Sequence, residues 1–90
     1  MIKRIKEIEA SKNLLMVIRF EDNEIRVIDF KHIIPENPAF APLKKPSIFM
    51  QAKADFLSSA VRWDNIDIDM EASALYECSD PIDLEKIKLR

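Results

Sequence analysis

Few side chains in this 90-residue chain carry the makings of chemistry. The single histidine, His32, stands three residues after Asp29, a spacing at which a carboxylate can orient an imidazole as a general base. A base needs a nucleophile to activate, and nothing in the sequence sets Cys78 or a serine beside the pair, so His32 reads as a surface or capping residue. Cys78 follows Tyr76-Glu77 and precedes Asp80, and acidic surroundings do not favour a reactive thiolate, so it reads as structural or incidental. One cysteine also excludes an internal disulfide framework and a multi-cysteine zinc site. Asp64, Asp67, Asp69 and Glu71 suggest a Ca²⁺ loop, but an EF-hand count from Asn65 puts Met70 at the position that needs glycine and Tyr76 at the one that needs glutamate. Their alternation with Ile66 and Ile68 places these carboxylates on the wet side of a strand, where they could meet a basic partner. No catalytic residue, metal ligand or cofactor is therefore expected.

The remaining polar signals concern binding. Arg19 and Arg26 are expected to face each other across a hairpin, where like charges repel unless acids bridge them. Glu21 and Glu24 lie one residue along and would do so; the alternative is a site for an acidic side chain or a phosphate. Trp63 beside Arg62 reads as a core residue, although Trp and Arg also concentrate binding energy at interfaces. The expected interface set is Val17, Arg19, Arg26, Ile28, Phe30, Arg62 and Trp63.

The elements that must carry these residues begin with a strong hairpin. Leu14 to Phe20 and Ile25 to Phe30 are alternating β-rich runs, and Glu21-Asp22-Asn23-Glu24 joins them with an asparagine that tolerates positive φ. A two-residue tip at Asp22-Asn23 sets Phe20 opposite Ile25, Ile18 opposite Val27 and Met16 opposite Asp29. The other side then pairs Arg19 with Arg26, Val17 with Ile28 and Leu15 with Phe30. Both sides are apolar near the base, so each needs a cover. Residues 2–10 read as a first strand, with a short amphipathic helix as the alternative because Ile2, Ile5 and Ile8 are spaced by three.

Pro35, Pro38, Pro42 and Pro46 mark an irregular crossing anchored by Phe40 and Leu43. Ser47 fits an N-cap, and the stripe Ile48, Phe49, Ala52, Phe56 predicts one main helix over 48–57. Residues 60–69 read as extended, with a bulge or turn at Asp64-Asn65 to reconcile inward Val61 and Trp63 with inward Ile66 and Ile68. Glu71 to Glu77 predicts a short helix presenting Leu75 and Tyr76. Asp80-Pro81 predicts the start of a last helix with Ile82 and Leu84, although Ile87 and Leu89 fit a strand equally. The expected fold is α+β, a single domain over 1–90. An antiparallel hairpin-based sheet from residues of about 4–31 and 60–69 packs on the main helix, with short helices toward the C-terminus.

Composition narrows the function. Hydrophobic residues make up 48% and charged residues 33%, the profile of a folded domain rather than a disordered segment. Net charge is −2, which weighs against a general nucleic-acid or anionic-membrane binder. The absence of glycine excludes a P-loop and a dinucleotide fingerprint, both of which need it where backbone approaches phosphate. Leu14 to Ile18 is the best apolar run and is too short for a signal peptide or a bilayer span, so a cytoplasmic location is expected. A core this small gains from association. The expected function is a non-enzymatic interaction or regulatory module, acting as a homodimer or with a small partner protein. The rival is a nucleic-acid regulator using Lys3, Arg4, Lys6, Arg19 and Arg26; a small hydrolase ranks last.

The ordered pieces also form a pattern. The hairpin Phe20-Glu21-Asp22-Asn23-Glu24-Ile25-Arg26-Val27-Ile28-Asp29-Phe30 resembles that of a small bacterial family, domain of unknown function 2442. Phe40 with Leu43 and Ile48-Phe49 is similar to its central segment. Val61-Arg62-Trp63-Asp64-Asn65-Ile66-Asp67-Ile68, followed by Leu75-Tyr76, is similar to its ending. Asn23 and Asn65 stand where the family pattern tends to glycine, so both are expected in a left-handed conformation. The resemblance implies an α+β domain with a hairpin sheet packed on a helix. It also implies a regulatory, antitoxin-like setting beside small partner proteins or fused to helix-turn-helix domains. It supplies no catalytic residues, and no fused DNA-binding domain is expected in this chain.

Overall fold

The computed structural model describes residues 4–55 and 59–81. Three strands, β1 (Ile5–Ala10), β2 (Leu15–Phe20) and β3 (Ile25–Asp29), form antiparallel neighbours, and β7 (Asp80–Pro81) pairs with β3 to complete a sheet of order β1-β2-β3-β7. Of the segment 2–10, expected as a first strand, Ile5–Ala10 is a strand, and residues 2 and 3 lie outside the described residues. A register shift between Ile5 and Glu7 explains why Ile5 and Ile8, three apart, both turn toward the core side: a bulge advances the pleat by one residue.

The hairpin tip corrects the expected register. Phe20 donates its amide to the Glu24 carbonyl at 2.9 Å, Asn23 donates to the Phe20 carbonyl at 2.9 Å, and Asn23 has φ 70°. The loop is therefore the three residues Glu21–Asn23, with Asn23 in the left-handed position that closes such turns. Met16 consequently faces Ile28, Val17 faces Val27, Ile18 faces Arg26 and Arg19 faces Ile25. One residue of slip moves every β3 side chain to the other face. Ile28 joins Met16, Ile18 and Phe20 in the core, and Arg19 and Arg26 lie on opposite sides of the sheet.

After Asp29 the chain turns into α1 (Phe30–Ile33), capped by the Asp29 carboxylate accepting from the Lys31 amide at 3.0 Å. The proline-rich crossing then runs as two 3₁₀ segments, Ile34–Glu36 and Pro38–Lys44, with Leu43 fully buried and Phe40 half-buried. The expected main helix over 48–57 is one turn, α2 (Pro46–Phe49), entered at Lys45-Pro46 rather than capped by Ser47. Its last carbonyl is taken from the side: the Trp63 indole donates to the Phe49 carbonyl at 2.9 Å, and Ala52 donates to the same oxygen at 3.2 Å. A longer helix would give that carbonyl to the amide four residues on. The chain instead extends as β4 (Lys53–Asp55). The remainder of the expected helix, residues 56 and 57, lies outside the described residues.

Residues 60–69 do not join the hairpin sheet. β5 (Ala60–Trp63) pairs with β4 and with β6 (Ile68–Glu71) in a second antiparallel sheet of order β4-β5-β6. β4 gives β5 a neighbour only four residues away along the chain, which costs less chain entropy than a distant pairing. The expected change of phase occurs in a 3₁₀ turn, Asp64–Ile66, but the left-handed residue is Asp67 at φ 53°, not Asn65. With no glycine in the chain, Leu14, Asn23, Ser59 and Asp67 take the positive-φ positions among the described residues.

α3 (Ala72–Glu77) follows as expected, with Ala72 and Leu75 buried. Asp80-Pro81, expected to open a helix, is instead the short strand β7; the helix expected around Ile82 and Leu84 lies outside the described residues. The fold is α+β, with antiparallel hairpin sheets and short helices. Its core joins Met16, Ile18, Phe20 and Ile28 of the first sheet to Val61, Trp63 and Ile68 of the second, with Phe30, Leu43, Phe49 and Leu75 between. The aromatic centre is Phe30, Phe49 and Trp63, with ring centroids 5.0, 5.9 and 6.1 Å apart.

Candidate functional site

The observed register sorts the first sheet into a core side and an outer side. On the outer side, Glu9, Val17, Val27 and Asp80 form one continuous cross-strand row, each opposite the next. Glu7, Arg19 and Ile25 make the row toward the hairpin tip, and Leu15 with Asp29 the row toward its base. Leu15, Val17, Ile25 and Val27 are all half-buried, and none of them packs on the hydrophobic core. The result is an aliphatic strip exposed in part, bounded by acids at both edge strands. Arg19 is held by Glu7 at 3.0 Å, whereas Glu9 and Asp80 have no ion-pair partner among the described residues. Beside β1 the strip deepens into an open groove of about 160 Å³, lined by Glu7, Ile8, Glu9, Val17, Arg19 and Ile25. Sites for small organic ligands run to about 300–1,000 Å³, so this groove suits a protein side chain rather than a cofactor.

On the core side, Arg26 is tied down. Its Nε donates to Ser79 Oγ at 2.5 Å, its Nη2 to the Ser79 carbonyl at 2.6 Å and its Nη1 to Glu24 Oε2 at 2.8 Å. The guanidinium lies 4.2 Å from the Tyr76 ring centroid, and the Tyr76 hydroxyl donates to the Glu24 carboxylate at 3.0 Å. This cluster fastens the chain after α3 against β3 and brings Asp80 into the outer row. It is a structural clamp, and Arg26 is therefore not paired with Arg19 at an anion site.

The seven expected interface residues separate. Val17 and Arg19 lie on the outer face. Ile28, Phe30 and Trp63 are wholly in the core. Arg26 is in the clamp, and Arg62 sits on the second sheet, 3.3 Å from Asp55 and 3.5 Å from Asp64. The expected set lacks the other outer residues: Leu15 shares the face of Val17, Ile25 and Val27 follow from the three-residue tip loop, Glu7 and Glu9 from the β1–β2 register, and Asp80 from the β3–β7 pairing; of these causes the tip alone has a local signal, in Asn23.

The other chemical candidates stay apart. His32 is exposed, its Nε2 3.5 Å from Asp29, and no hydroxyl or thiol is hydrogen-bonded to either among the described residues. Burial pushes the Asp29 carboxyl up, but hydrogen bonds from the Lys31 side chain and amide, with the charges of Lys31 and His32, outweigh it and hold the group below its ordinary value. The linkage has a definite sign. Asp29 contributes stability that is complete above the ordinary carboxylate range and lost as pH falls through and below it. Wild type should therefore lose more stability than Asp29→Asn between pH 6 and pH 3, measured by urea unfolding. Cys78 is an exposed free thiol. Among the described residues no group of three or more His, Cys, Asp or Glu side chains is placed to hold a metal, and no helix is long and apolar enough to cross a membrane.

No curated protein and no solved structure matches the chain. The family model described as Protein of unknown function (DUF2442) matches residues 5–80, most of the chain and every strand residue but Pro81, and the chain belongs to that family.

Proposed function

We propose that the protein is a non-enzymatic interaction module of a regulatory, cytoplasmic kind, and that it docks a small partner protein on the outer face of its first sheet. The observation that carries this reading is the strip Leu15, Val17, Ile25 and Val27, side by side on the two neighbouring strands β2 and β3 and packed on nothing in the described core. Contiguous partly exposed aliphatics on a sheet are what a binding surface offers, and they are costly to leave in water. The groove beside them is sized for a side chain, and among the described residues the His32–Asp29 pair has no nucleophile bonded to it.

The test is a pair of charge insertions on the face. Val17→Lys and Val27→Lys leave the core intact and are expected to shift unfolding free energy by no more than about 0.5 kcal/mol. They are also expected to weaken co-purification of the partner from the source cell at least tenfold, while Arg62→Ala on the second sheet leaves it unchanged. Retained binding by both lysine variants would remove the outer face from the interaction. Sedimentation of the pure chain over a hundredfold concentration range should show a monomer; a dimer abolished by Val17→Lys would transfer the face to a second copy.

A further inference from the structure

The occupant of this face can be named by its chemistry, on the reading just given that the face docks a protein. We infer that it takes an extended segment bearing two cationic side chains, Lys or Arg, four residues apart with a small aliphatic residue midway between them.

The row Glu9–Val17–Val27–Asp80 sets this chemistry. Its members are direct cross-strand neighbours, so they share one face and lie in line across the sheet. Both ends are exposed carboxylates without an ion-pair partner among the described residues, and both central residues are half-buried valines. Three strand spacings separate the ends, about 14 Å. Four residues of extended chain cover about 13 Å, and positions one, three and five of such a segment point the same way. A cation–x–aliphatic–x–cation segment laid across the strands therefore sets its two charges over Glu9 and Asp80 and its middle residue over the valines. The groove beside Glu9 and Glu7 gives one of the cations a lined seat, its stem against Val17 and Ile25.

The same row disfavours a second copy. A two-fold axis that stacks the face on itself places Glu9 over Asp80 or each acid over its own image, and like charges then meet at both margins. Arg19 does not relieve this, because Glu7 already engages it.

The experiment is a titration of the ¹⁵N-labelled full chain with two synthetic peptides, followed by amide shifts. One has the core Lys-Thr-Val-Thr-Lys between threonines; the other has Glu in both Lys places. The lysine peptide is expected to give saturable shifts at Glu9, Val17, Val27 and Asp80. It should bind about tenfold tighter than the glutamate peptide and weaken when salt is raised to 0.3 M. The double variant Glu9→Lys with Asp80→Lys, both at exposed positions, should reverse the preference. Equal binding of the two peptides, preference for the glutamate peptide, or no shift on the row with either overturns the cationic assignment. The docking reading itself stands or falls separately, on whether Val17→Lys and Val27→Lys release the partner.

Discussion

Replacing Trp63 by alanine should lower unfolding free energy by about 4 kcal/mol, the largest single effect expected in the molecule. Trp63 is 1% exposed and packs against the rings of Phe30 and Phe49, so truncation leaves a cavity at the junction of the two sheets. It also withdraws the indole N–H from the Phe49 carbonyl, the contact that ends α2 and lets β4 begin. A domain of this length has roughly 5–13 kcal/mol in total, so the loss is a third or more of its stability. At about 4–8 °C per kcal/mol, the melting temperature should fall by roughly 16 °C or more. Trp63→Phe separates the two causes. It keeps most of the packing while removing the indole N–H, with the Ala52 amide still on the same oxygen, and should cost about 1–2 kcal/mol. Thermal unfolding of the two variants side by side checks both figures; an alanine variant within 1 kcal/mol of wild type would show that the core is not built around this ring.

The second large effect belongs to the clamp. Arg26→Ala should destabilise by about 3 kcal/mol, because the guanidinium holds Ser79 twice and Glu24 once from a position only 14% exposed. Arg26→Lys should recover less than half of that, since an ammonium cannot reproduce the fork that bonds hydroxyl and carbonyl together. The readout that distinguishes a clamp from general packing is local. Amide exchange at Ser79 and Asp80 should accelerate more than exchange in β1 and β2, because β7 is held to β3 by two residue pairs and this cluster. Uniform acceleration across the sheet would mean that Arg26 supports the whole fold rather than the chain after α3.

Legibility in the sequence followed the range of the interactions concerned. The β2–β3 hairpin was readable because alternation and Asn23 are local, yet its register was not. Two- and three-residue tips both fit Glu21-Asp22-Asn23-Glu24, and the hydrogen bond from Phe20 to the Glu24 carbonyl decides between them. That single residue sent Ile28 to the core and Val27 to the outer face, which is why the expected interface set mixed the two sides. The helix over 48–57 failed for a long-range reason. The stripe Ile48, Phe49, Ala52 fits a helix as well as a turn followed by a strand, and the deciding group, the Trp63 indole, lies fourteen residues away. The tail of the first sheet was equally hidden, since Asp80-Pro81 has the local signature of a helix start but pairs with β3 beside Ser79, which Arg26, 53 residues away, hydrogen-bonds. Family membership was readable from the ordered pieces, and the outer face was readable as a need for cover but not as a list of residues.

Docking on the first sheet requires the outer face of β1, β2 and β3 to be open to solvent in the isolated chain. The measurement is broadening of methyl resonances by a soluble nitroxide in the full chain. Val17, Ile25, Val27 and Leu15 methyls should broaden several-fold more than those of Ile18, Ile28 and Val61, which are at most 1% exposed. Protection of Val17 and Val27 equal to that of Ile18 would mean that the face is already covered, and the docking surface would not exist.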